Sequence, residues 1–137
     1  MTINILGTPY EIIEQSPEEN PKLEEACGVC EQYSKKIILA DFLRDPKDKM
    51  TVEYPEEFRK KVLRHEIIHA FLGESGLRGE SEWAESEEMV DWFAIQFEKI
   101  HKAFEEANAL EHSLIVKAAA DVPGLKRAIQ NLPEKFF

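Results

Sequence analysis

Two histidines four residues apart, with a glutamate directly after the first, constrain this chain more than any other feature: His65-Glu66-Ile67-Ile68-His69. Their rings can meet at one point where the backbone is α-helical, because a helix advances about 3.6 residues per turn and stacks residues i and i+4 on one face. The flanking residues predict such a helix over Pro55–Leu72. Pro55 opens it, Glu56 and Glu57 suit the partial positive charge of its N-terminus, and Phe58, Val62, Ile67, Ala70 and Phe71 keep helical spacing. Gly73 stands where a C-terminal cap is expected. Ile67, Ile68, Phe71 and Leu72 make the second half apolar around most of its circumference. A polar His-Glu-His set there implies a buried or cleft-lining site, since polar groups withdrawn from water need partners.

Two imidazoles on one helical face suit a tetrahedral Zn²⁺, one per chain, and Glu66 would lie beside the open metal position as a base for metal-activated water. A third ligand must come from elsewhere. The longer H-E-x-x-H-x-x-G-x-x-H pattern is absent, because Leu72 stands at its Gly and Ser75 at its last His. His101 and His112 fall on polar helical faces and read as surface residues. The apolar stretch Trp83–Phe97 reads as a second helix and carries better candidates. Glu87 and Asp91 share one face of it. Glu87 is the expected ligand, with Glu88 as runner-up and Glu85 after it. Asp91, set between Val90 and Trp92, is expected to accept the free N–H of a ligand histidine and fix its ring.

With both helices in view, the stretch Glu31–Phe97 resembles the minimal zincins of phages and bacteria, in particular the ImmA/IrrE-type metallopeptidases. Glu87-Glu88-Met89-Val90-Asp91-Trp92-Phe93-Ala94 is similar to that family's E-x-E-A-N-x-F-A signature. It departs from it at Met89 and at Asp91, where the Glu-x-x-x-Asp spacing looks like the thermolysin-type arrangement. The resemblance implies an α+β zincin-like core: a small antiparallel or mixed sheet packed on the metal-binding helix and a second long helix. It also implies zinc-dependent hydrolysis of peptide bonds, and an edge strand that pairs with an extended protein or peptide substrate. Glu31–Ala40 is the candidate for strands near that edge.

The rest of the chain reads as one domain over residues 1–137, with residues 107–137 as a helical C-terminal extension. Thr2–Leu6 and Tyr10–Glu14 are β-prone runs joined through Gly7-Thr8-Pro9 as a hairpin or bent edge. Ser16–Glu25 suits a loop or short helix, Asp45–Asp48 a turn, Ser81–Glu106 one continuous helix, and Ala107–Ala120 and Leu125–Leu132 further helices. A formal charge of −10 disfavours nucleic acid and anionic membranes as partners. No apolar run approaches a transmembrane span, and Met1-Thr2-Ile3-Asn4 has no basic signal region, so a cytoplasmic location, bacterial or in a phage-infected host cell, is expected. Cys27-Gly28-Val29-Cys30 is read as two ordinary thiols near a turn, rather than a redox pair or half of a metal knuckle. Tyr10, Tyr33 and Tyr54 are possible oxyanion donors, with no basis in sequence to choose among them. Two rival readings stand beside a peptidase: a zinc-holding zincin-fold adaptor without hydrolysis, and an acidic interaction protein without metal.

Overall fold

The computed structural model describes residues 1–41 and 54–111, as an α+β arrangement of four strands and two long helices. Strands β1 (Thr2–Ile5) and β2 (Thr8–Gln15) form an antiparallel hairpin in which Ile5 faces Thr8. Leu6 and Gly7 alone make the turn, both at positive φ (49° and 91°). This is the two-residue turn whose twist matches that of the flanking strands, and Gly7 suits its second position. Asn4 Oδ1 accepts the Gly7 N–H at 2.8 Å and closes it.

A 3-10 turn, Pro21–Glu24, follows, with Asn20 as its cap and Leu23 buried. Strands β3 (Gly28–Glu31) and β4 (Lys36–Ala40) then complete a mixed sheet in the order β1-β2-β4-β3. Strand β4 runs parallel to β2 and antiparallel to β3. Its run Ile37-Ile38-Leu39-Ala40 is buried throughout, the pattern of an interior strand covered on both faces. The stretch Glu31–Ala40, expected to hold strands near an edge, carries the end of edge strand β3 and the whole of its neighbour β4. Glu31 ends β3, residues 32–35 turn the chain, and β4 is interior; the two edges of the sheet are β1 and β3.

Helix α1 (Pro55–Glu74) packs across β3 and β4, burying Val62 and Ala70 against Ile5, Tyr10, Ile37 and Leu39. It runs past Gly73, which is not its cap. The stop is at Gly76 (φ 76°): its N–H bonds to Gly73 O at 3.1 Å and that of Leu77 to Leu72 O at 3.1 Å. That pair of bonds is the Schellman closure, which favours glycine at the left-handed position. Gly73 serves close approach instead, since a Cβ there would stand 2.8 Å from the Gln32 side chain, whose Nε2 donates to Gly73 O. Three further bonds tie this end of α1 to the sheet. Tyr10 Oη donates to Glu74 at 2.8 Å, Thr8 Oγ1 donates to it at 3.0 Å, and Lys35 pairs with it.

The expected helix from Ser81 breaks in two: a 3-10 turn, Glu82–Glu85, then helix α2 (Glu87–Glu106). Ser86 between them is extended, and its Oγ accepts the Met89 N–H at 3.2 Å. It is thus an N-cap that starts a new helix and puts Glu87 in the first turn. Val90 and Ala94 are the buried positions of α2, while Trp92, Phe93, Ile95 and Phe97 are exposed. The helix ends at Asn108 (φ 54°), with Asn108 N bonded to Glu105 O and Ala109 N to Phe104 O, so residues 107–111 are a turn and not the start of another helix. The chain divides into two compact units, Met1–Glu98 and Lys99–Phe137. The expected turn at Asp45–Asp48 and the helices beyond residue 111 lie outside the described residues. No helix among the described residues is long and apolar enough to cross a membrane.

Candidate metal centre

Helix α1 presents His65 and His69 on one face, as the four-residue spacing requires, and α2 brings Glu87 to them. His65 Nε2 and His69 Nε2 are 3.1 Å apart, and Glu87 Oε2 lies 3.0 Å from the first and 3.2 Å from the second. Ligands about 2.0–2.1 Å from a tetrahedral zinc stand about 3.3 Å from one another, so this triangle has the size of three corners of such a shell. Two imidazole nitrogens and a carboxylate oxygen aimed at one point repel through their lone pairs unless a proton or cation lies between them. Among the described residues, His65, His69 and Glu87 form the group able to hold a metal ion. The runner-up carboxylates Glu88 and Glu85 are not part of it. His101 sits on α2 and pairs with Glu105 at 3.7 Å, while His112 lies outside the described residues.

Asp91, one turn after Glu87 on α2, places Oδ1 3.2 Å from His65 Nδ1. That contact favours a proton on Nδ1 and leaves Nε2 free to face His69 and Glu87. Lys61 pairs with the same Asp91 oxygen and is the first cause holding that carboxyl below its usual range. Arg64 adds a second clamp between the helices, donating from Nε to Ala94 O at 2.7 Å and from Nη1 to Glu98 at 3.0 Å. His69 is buried, and its Nδ1 meets no partner among the described residues. Burial, opposing its charged form, is the main cause lowering the His69 pKa.

Glu66 is only 6% exposed and projects toward β3. Burial first, and the Glu87 charge second, push its pKa up to about 7, against Arg78 and a backbone hydrogen bond from Cys30, which pull it down. Gly28 is what lets β3 lie so close. A Cβ there would be 2.8 Å from Val62 Cγ1 and 2.9 Å from Glu66 Cγ. His65, Glu66, His69, Glu87 and Asp91 all line one cavity of about 450 Å³, with Cys27–Cys30 along one wall.

Arg78 lines this cavity too, carried by the α1 closure, where its N–H bonds to Leu72 O at 3.2 Å. The three tyrosines do not line it: Tyr10 is in the core, and Tyr33 and Tyr54 are exposed. Sequence reasoning missed Arg78, Lys61 and Gly28. Lys61 alone left a usable signal, being one helical turn before His65.

Cys27 and Cys30 are free thiols. Cys30 lies in β3 and Cys27 at the bend just before it. Burial raises both thiols, Cys30 to about 11, so neither has the lowered pKa of a reactive redox cysteine.

Comparisons of this chain with protein-family models, with curated proteins and with solved structures find no match.

Proposed function

We propose that the protein is a zinc-dependent metallopeptidase built on a zincin-like core. His65, His69 and Glu87 hold the metal, and Glu66 is the general base. The observation that carries this reading is the 3.0–3.2 Å triangle of ligand atoms with a buried glutamate beside it in an open cavity. A purely structural site would close all four positions with protein groups and would have no use for Glu66. The resemblance to phage and bacterial zincins rests on the same residues.

Zinc bound there would supply Lewis acidity, polarising a peptide carbonyl and acidifying water. The chain's residues do the rest. Glu66 takes a proton from the attacking water and returns it to the leaving amine. Arg78, which has no ion pair among the described residues, offers its charge to the carbonyl oxygen as negative charge develops. Of the sheet's two edge strands, β3 walls the cavity, so an extended peptide adds to it as a further strand.

Glu66→Gln keeps the shape of the site and removes the base. The variant is expected to bind zinc like the wild type and to lose at least about a hundredfold in cleavage rate. The readout is mass spectrometry of a mixed peptide library incubated with each protein. Equal cleavage by wild type and Glu66→Gln contradicts the mechanism. Zinc binding with no cleavage by the wild type favours the adaptor reading.

A further inference from the structure

Asp91 does not act on His65 alone. Lys61 and His65 are one helical turn apart on α1, and both meet the same oxygen, Oδ1 of Asp91 on α2. The Lys61 side chain is mostly covered, lies against the cavity wall, and has no other ion pair among the described residues. A carboxylate that accepts from a single imidazole can pivot about its own side-chain bonds. One held by two donors from the same helix face is fixed in position, and charge-assisted bonds of this kind are the stronger ones.

We propose that Lys61 is a positioning residue for the metal centre: it pins Asp91 so that the carboxylate accepts a hydrogen bond from His65 Nδ1–H and leaves Nε2 directed at His69 and Glu87. The inference rests on the metal reading for its consequence and on the Lys61–Asp91–His65 geometry for its cause. It also explains why a lysine, and not an apolar residue, occupies a largely covered place between two helices. Removing the ammonium frees Asp91, lets the His65 ring change tautomer, and costs metal affinity without touching a ligand.

The test uses the full chain as wild type, Lys61→Met, Lys61→Arg and Asp91→Ala, with Lys61→Met also placed in the Asp91→Ala background. Methionine keeps the aliphatic stem, and arginine restores the charge if packing is disturbed. Zinc affinity is measured by competition with a chromogenic chelator. The His65 tautomer is read on metal-free protein by long-range ¹⁵N–¹H correlation in mildly alkaline buffer. Lys61→Met is expected to weaken zinc about tenfold, Lys61→Arg to recover most of that loss, and Lys61→Met to add nothing once Asp91 is Ala. In the metal-free protein, His65 should shift from the Nδ1–H form toward a mixture in Lys61→Met and in Asp91→Ala, and keep the Nδ1–H form in Lys61→Arg.

Wild-type zinc affinity and an unchanged tautomer in Lys61→Met overturn the proposal while leaving the metal centre standing. A tautomer change in a protein that binds no zinc supports the positioning role and defeats the metal reading. Additive losses from Lys61→Met and Asp91→Ala mean that Lys61 acts through packing, and also overturn it.

Discussion

Gly28 shows how closely the edge strand is laid on the helix that carries the candidate site. Any side chain there meets Val62 and the Glu66 stem within 3 Å, and neither neighbour is free to retreat, because Val62 is in the core and Glu66 is covered. Gly28→Ala is therefore expected to destabilise the fold by about 1–3 kcal/mol, the usual range for an overfilled core. Urea denaturation measures it, and unchanged stability would mean that β3 stands off α1. The residues of the candidate site were legible in the chain because they stand in helical repeats, His65 with His69 and Glu87 with Asp91, and Glu66 directly follows the first histidine. Gly28 and Arg78 were not, since a glycine or a surface arginine has many local reasons to exist and only tertiary contact shows which applies.

At the scale of elements, the end of α1 is held to the sheet through Glu74. Its carboxylate accepts from Tyr10 and Thr8 and pairs with Lys35, and the Lys35 contact is the first cause depressing its pKa below the ordinary 4.5. A carboxyl depressed in the folded state stabilises the fold fully above its unfolded pKa and loses that contribution as pH falls through its folded value. Wild type should thus exceed Glu74→Gln in stability near neutral pH, and the gap should close as pH drops below about 4.5. Denaturation curves taken at stepped pH measure it; a gap that persists in acid contradicts the assignment.

The helical span of α1, the first hairpin and the end of α2 could be read from local pattern. Strand β3 could not, because Gly28-Val29-Cys30-Glu31 has no alternation and becomes a strand only by pairing with β4. The break at Ser86 was legible in principle, as a serine directly before two acidic residues is an N-cap signal; it was hidden by the apolar run that follows.

Across the molecule, the sheet supports α1, α1 supplies two histidines, and α2 is clamped against it by Lys61–Asp91 and Arg64–Ala94 so that Glu87 reaches them. The cavity gathers three carboxylates, Glu66, Glu87 and Asp91, against two cations, Lys61 and Arg78, in a chain of net charge −10. A dication is the partner that a carboxylate oxygen and two aligned imidazoles meeting at one point favour. The most direct test is elemental analysis of untagged protein after reconstitution with zinc, beside Glu87→Ala and Glu88→Ala. The account predicts about one zinc per chain in the wild type, kept in Glu88→Ala and largely lost in Glu87→Ala. No zinc in the wild type, or equal loss in both variants, would contradict it.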